Sequence, residues 1–392
     1  MWLRRAVSPR PPWSPLFMWV YLRSAKNLLQ HGASGQVSPR RAYYGQAMEK
    51  DGQKNVAPIG LVVNPRSGTD VRRAIAAAGS VTVADKANIV RRVVLGAVET
   101  GAHRFVVHGD PHGIVRRATE TIKGLDLDWV GTELTFTERD TYHAVEWMRN
   151  AGCAVILVLG GDGTNRVAAQ SWPDIPVIPV STGTNNAFPV FVEATVAGAA
   201  AGHVATGRVA IGEVAGPAKV VRLDVWDDQG NLEEPDLALI DAVSVDDRYV
   251  GSLELFDPKT LGIAVLTRAD PASVGFAGVG GLVEEITADD DAGLLIRFAP
   301  PAASERVLRG PTAPGHYDDL GLQEVRRLKL GERVRVEGPI LLAFDGERKR
   351  RLAEGAQAEL WVERNGPWVI DVATAMRQAA AQGSYLRNKS LG

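Results

Sequence analysis

From Ile59 onward the chain alternates between short unbroken apolar runs and longer stretches whose apolar positions recur every three or four residues. IGLVV (59–63), the centre of HRFVVHG (103–109), AVILVLGG (154–161) and IPVIPV (175–180) lack polar interruption. That is the pattern of strands buried on both faces of a parallel sheet. ANIVRRVVLGAVETG (87–101) has helical spacing and stops at Gly101. ERDTYHAVEWMRNAG (138–152) reads as an amphipathic helix with Ala144, Val145, Trp147 and Met148 toward the core. Strands alternating with helices specify an α/β layered fold with a mainly parallel sheet.

The pattern changes after Gly207. KVVRLDVWDD (219–228), DLALIDAVSV (236–245), GIAVLTRA (262–269), GLLIRFAP (293–300), RVRVEGPILLAFDGE (333–347) and AELWVERNGPWVIDV (358–372) are β-rich and separated by turn residues. They predict a second, mostly antiparallel β domain. The expected organisation is a leader over 1–57, an α/β domain over 58–207, a β-rich domain over 208–372, and a C-terminal helix and tail over 373–392.

Composition adds the leader and removes several function classes. The chain has 392 residues, room for two domains, and a net charge of −2, which disfavours a nucleic-acid binder. The first 47 residues contain Arg4, Arg5, Arg10, Arg23, Lys26, Arg40 and Arg41 but no Asp or Glu. Met48 opens ordinary composition, so an over-called start or a disordered leader is expected, with a transit peptide as the alternative. No apolar run approaches the roughly 18–20 residues that span a bilayer. A single cysteine, Cys153, excludes an internal disulfide and reads as a buried small residue in a reducing cytoplasm.

The chemistry gathers at strand ends. In LGGDGTN, Gly160, Gly161 and Gly163 clear the backbone around Asp162, just before Thr164 and a helix. Such a turn lets backbone N–H groups approach phosphate oxygens, although a tight turn packed for its own sake also uses glycine. NPRSG (64–68) follows the first strand with Asn64, Ser67 and Gly68, and STGTNNAF (181–188) follows the fourth with Thr184 and Asn185. Both stretches can equally cap helices. FDGERKRR places Asp345 and Glu347 two apart on one face of a strand-like segment, ahead of four basic residues. An Asp-Gly hairpin with a solvated charge run is its bland equivalent.

Taken together and in this order, Asn-Pro-x-Ser-Gly, Gly-Gly-Asp-Gly-Thr, Gly-Thr-x-Asn-x-Phe and Asp-Gly-Glu resemble the superfamily of ATP-NAD kinases, diacylglycerol kinases and sphingosine kinases. The likeness spans about residues 58 to 372. Within it, STGTNNAFPVFVEATVAGAAAG is most similar to the acetoin-catabolism protein X family. The resemblance implies an α/β nucleotide domain, a β-sandwich acceptor domain, and phosphoryl transfer from ATP with Mg2+ in the cleft between them. It implies that Gly160, Gly161, Gly163 and Thr164 hold the ATP phosphates, braced by Asn64, Ser67 and Gly68, and that Thr184 and Asn185 line the nucleotide or acceptor. Asp162, or Asp345 with Glu347, would take the acceptor's proton or organise Mg2+.

The acceptor pocket departs from the NAD-kinase pattern. Ile240 and Asp241 stand where an Asn-Glu pair would hold the acceptor ribose, and Gly275 stands at a pocket tyrosine's place. These departures weigh against NAD, which the family resemblance still makes the first candidate acceptor, with another small hydroxyl metabolite or a lipid as the alternative, and a non-catalytic nucleotide-binding regulator as the reading from a different class. Homo-oligomers are common among such kinases, but no stretch reads as an interface. His108, Asp110 and His112 alternate after the second strand without further ligands, so they are expected to edge the crevice rather than hold a metal. Trp129, Trp147 and Trp172 are expected to be core or packing residues rather than cofactor stackers.

Overall fold

The computed structural model describes residues 56–67, 82–182, 186–246, 257–346 and 348–386. The leader expected over 1–57 lies almost wholly outside the described residues, as do Gly68, Thr184, Asn185 and Glu347.

The first half builds β1 (Ile59–Val63), α1 (Val83–Glu99), β2 (Arg104–Val107), α2 (Ile114–Thr119), β3 (Asp126–Trp129), α3 (Glu138–Asn150), β4 (Val155–Gly160), α4 (Asp162–Ser171), β5 (Pro176–Ser181) and α5 (Ala194–Ala205). A short helix, α6 (Ile211–Val214), leads to β6 (Ala215–Pro217). Every residue of β1, β4 and β5 is buried, as their unbroken apolar runs require. α1 and α5 bury one face of the sheet with Val90, Val93 and Ala197. α3 and α4 bury the other with Ala144, Val145, Met148 and Ala168. Trp147, expected toward the core, is 41% exposed, Trp129 is 37% exposed on the edge strand β3, and Trp172 is buried. The apolar face of α3 is narrower than its sequence suggests, and Trp147 lies beside it.

The strand order begins β3-β2-β1-β4-β5, all parallel, and continues into two further strands beyond β5. The order reverses between β1 and β4, where ligands bind in open α/β sheets because the two crossovers diverge and leave a crevice. The last strand, β18 (Trp368–Ile370), returns from the far end of the chain to pair with β5 in parallel and with β6 antiparallel. It is followed by α8 (Val372–Ala381), whose Ala375 and Ala379 pack into the same core as α5.

α1 and α5 approach unusually closely. A Cβ added at Gly96 would stand 2.0 Å from the Thr195 carbonyl oxygen, and one at Gly198 1.9 Å from that of Val93. The small residues of ATVAGAAAGHVA thus serve backbone-to-backbone packing.

Between these ends the β domain runs through β7 (Val220–Trp226), β8 (Asp236–Ala238), β9 (Asp241–Val245), β10 (Leu261–Leu266), α7 (Phe276–Gly281), β11 (Ala292–Ala299), β12 (Arg306–Ala313), β13 (His316–Lys329), β14 (Val334–Glu337), β15 (Ile340–Phe344), β16 (Arg348–Leu352) and β17 (Gln357–Glu363). A seven-stranded sheet, β12-β13-β11-β10-β9-β15-β16, packs on a four-stranded one, β14-β17-β7-β8. Val221, Leu223 and Leu360 of one meet Val265, Leu295 and Leu342 of the other. Facing the α/β half is a separate apolar seam, in which Ala169 of α4 and Phe188 meet Leu237, Leu239 and Ile240.

Candidate active site

The three glycine-punctuated turns meet at the crevice mouth and are stitched together. Asn64 Nδ2 donates to Thr164 Oγ1 at 2.8 Å, joining the turn after β1 to that after β4. The Ser67 hydroxyl shares a hydrogen bond with Thr182 Oγ1 at 2.8 Å, joining β1 to β5. Lys86 of α1, fully buried, donates its ammonium to the Pro65 carbonyl at 2.5 Å and fixes the first turn from behind.

Gly161 precedes α4 with extended backbone (φ −99°, ψ −169°), and no side chain caps the helix. The first N–H groups of α4, at Asp162, Gly163 and Thr164, are those a helix leaves without intrahelical partners. They open an anion site aided by the helix dipole. The glycine at 161 serves space rather than dihedral freedom, because an added Cβ would stand 2.8 Å from Asn186 Oδ1. If these amides receive nucleotide phosphates, Gly161→Val is expected to weaken ATP binding about tenfold or more by keeping phosphate from them, while thermal stability changes little because Asn186 can swing away. Nucleotide titration alongside thermal unfolding checks both halves.

Asp162 does not cap its own helix. Its carboxylate accepts from the Ala187 amide (3.0 and 3.1 Å) and the Phe188 amide (2.8 Å), pinning the loop after β5. Desolvation, then the neighbouring Asp345, pushes its pKa up to about 7, against the pull of those amides and of Arg268. The Arg268 guanidinium donates to the Ala187 carbonyl and lies over the Phe188 ring at 5.8 Å.

Asp345 comes from the other domain. It ends β15 in the left-handed region (φ 49°), followed by Gly346 (φ 72°). Asp tolerates that conformation because its short polar side chain bonds locally. Its side chain is wholly buried and accepts from the amides of Leu239 (3.0 Å), Ile240 (2.8 Å) and Asp241 (3.3 Å). Burial pushes its carboxyl above the ordinary range, opposed by those amides and by Arg166. The segment was expected to be a strand with Asp345 and Glu347 on one face. Residues 345–346 are instead a turn joining β15 to β16, so strand alternation does not govern them, yet the Asp345 carboxylate points inward. Of the basic run that follows, Arg350 pairs with Glu233 at 2.6 Å.

Sequence reading missed Arg166, Arg268, Lys86 and Asp236. Only Arg166 carried a signal: it lies four residues after Asp162, on the same helix face. At the acceptor side Ile240 is buried, and Gly275 needs glycine for its conformation (φ 83°), since an added Cβ would meet open space. Asp110 caps the turn into α2 by accepting from the His112 and Ile114 amides. Among the described residues no group of three or more His, Cys, Asp or Glu is placed to hold a metal ion, and the oxygens of Asp162 and Asp345 are already engaged by amides. The described residues therefore do not build a cage for a cation. Nor is any described helix long and apolar enough to cross a membrane.

Comparison with known proteins agrees with this architecture. Residues 59–209 match the ATP-NAD kinase N-terminal domain, and residues 221–365 match the acetoin catabolism protein X C-terminal domain. Acetoin catabolism protein X of Cupriavidus necator is 33% identical over 335 residues, covering 83% of this chain and 93% of that protein. Among solved structures, yeast NADH kinase in complex with NADH superposes with a TM-score of 0.50 at 12% identity, over 87% of this chain and 91% of that one. A diacylglycerol kinase from Bacillus anthracis gives a TM-score of 0.38 at 12% identity, over 81% and 97%. The chain belongs to the acetoin catabolism protein X family, with an N-terminal domain of the ATP-NAD kinase type.

Proposed function

We propose that the protein is an ATP-dependent phosphotransferase that moves the γ-phosphoryl group to a hydroxyl of a small acceptor, with NAD the first candidate. The observation that supports this reading most is the pairing, at one crevice, of an uncapped helix start with a carboxylate whose pKa is raised to about 7. The amides of 162–164 would bind the transferring phosphates, braced by Asn64, Ser67 and Thr164. Gly68, Thr184 and Asn185 are proposed to share in nucleotide binding and Glu347 in the acid chemistry, on the family resemblance alone. The acceptor oxygen attacks the γ-phosphorus, the bond to ADP breaks, and Asp162 takes the hydroxyl proton. A base poised near the working pH contributes on the order of 10² to 10⁴ in rate. Asp345, wholly buried, acts through position.

Mg2+ would enter with the ATP phosphates and neutralise their charge, since such ions are usually held by substrate phosphates with few protein ligands. The setting would be cytoplasmic; Cys153, buried with its thiol pushed up to about 12, is inert there.

The Cupriavidus relative's name adds small hydroxyl metabolites such as acetoin to the acceptors worth testing. The protein incubated with Mg-ATP and NAD, NADH, acetoin, small polyols, diacylglycerol and sphingosine should release ADP with one soluble acceptor. ATP binding without ADP release for any of them would favour a nucleotide-binding regulator.

A further inference from the structure

Helix α4 presents a polar stripe at every fourth residue, toward the loop after β5 and then the β domain. Asp162 holds the 187–188 loop, Arg166 faces Asp345 and Asp236, and Gln170 Nε2 donates to Asp236 Oδ1 at 2.8 Å. Arg166 is the centre of this stripe, and its side chain is 3% exposed. Its Nε lies 3.8 Å from Asp345 Oδ2, its Nη1 3.8 Å from Asp236 Oδ1, and its Nη2 3.7 Å from Glu138 Oε2. Nε and Nη1 make no hydrogen bond.

Buried guanidinium N–H groups without acceptors are costly, and a charge-assisted bond forms at about 2.8 Å, so a helix shift of about 1 Å would convert loose attraction into direct bonds. The helix that carries Arg166 is the same one whose start would receive the phosphates.

Resting on the kinase reading, we propose that Arg166 is a positioning residue. It holds Asp345 in place from the nucleotide helix, so that seating phosphate at the start of α4 and aligning the acid pair across the two domains are one event. Arg166 touches neither nucleotide nor acceptor; it acts through Asp345. The Asp236–Gln170 bond anchors the far end of the stripe and keeps α4 from rolling when Arg166 moves.

The test is a cycle of Arg166→Met, Asp345→Asn and the double variant, with Arg166→Lys as the charge-keeping control. Each is measured for ADP release, ATP affinity and thermal unfolding. Arg166→Met should lower kcat about 10²-fold, the scale of losing one preorganised electrostatic partner, with ATP affinity within a few-fold. Arg166→Lys should recover most of that loss. The double variant should be no slower than Asp345→Asn alone, because one residue works through the other. Multiplying effects, or a kcat for Arg166→Met near wild type, would overturn the proposal. If Arg166→Met does not fold, Arg166→Gln, which also removes the charge, replaces it in the same cycle. If wild type releases no ADP with any acceptor, the kinase reading has failed, and the coupling is then read from unfolding midpoints. Sub-additive losses there support the Arg166–Asp345 link, and plain additivity refutes it.

Discussion

Asp162→Asn should reduce phosphoryl transfer by about 10² to 10⁴ while leaving ATP affinity within a few-fold, because the amide keeps the shape but loses the basicity of the carboxylate. The phosphates would be bound by backbone N–H groups that the substitution leaves in place. The pH dependence follows from the raised pKa. A base must be deprotonated to work, so wild-type kcat should rise with pH and level off above about 7. For stability the sign is opposite. The folded acid titrates near 7 against an ordinary 3.8, so the folded state retains a proton that the unfolded chain releases. The stability this proton contributes is fully present below the unfolded value and is lost as pH rises through the folded one. Asp162→Asn should flatten that slope. Turnover within a few-fold of wild type would remove Asp162 from the chemistry.

The second large effect is structural. Gly198→Val should cost about 3 kcal/mol or more, at the upper end of overpacking penalties, because its Cβ would meet a backbone oxygen rather than a side chain that can rotate away. The clash with the Val93 carbonyl is at 1.9 Å, and Gly96, on the opposing helix, meets Thr195 at 2.0 Å, so neither helix can yield without separating from the other. In a protein of this size that corresponds to a melting point lower by roughly 4 °C or more. Gly212→Ala, where an added Cβ meets nothing within 4 Å, should change it by under about 1 °C. Equal midpoints for the two variants would show that the close approach of α1 and α5 is not needed.

Much of this was legible in the sequence, for a physical reason. β1, β4 and β5 are buried on both faces, so their apolar runs are continuous and stand out. β3, an edge strand reading DLDW with mostly exposed residues, carries no such run, and the six-residue α2 is too short for a period to show. DLALIDAVSV read as one segment; it splits into β8 and β9 because Leu239 and Ile240 leave the ladder to donate their amides to Asp345. At the site, glycine spacing betrayed the turns, where an added Cβ at Gly160 would meet the Thr164 hydroxyl at 2.6 Å and one at Gly161 would meet Asn186 Oδ1 at 2.8 Å. The arginines were hidden. A charge in a sequence is silent about depth, and Arg166 and Arg268 are buried only because acids from distant segments meet them.

The return of β18 to the first sheet has a consequence for how the chain is made. A ribosome delivers residues 59–181 long before 368–370, so a nascent α/β half emerges with the edge of β5 still uncovered where Trp368 and Val369 will pair with Pro176 and Val177. At about 5–20 residues per second, that edge waits roughly 10–40 s for its partner. An uncovered strand edge invites pairing with other chains. The short β18, delivered last, seals that edge and makes completion of the nucleotide half depend on synthesis of the whole polypeptide.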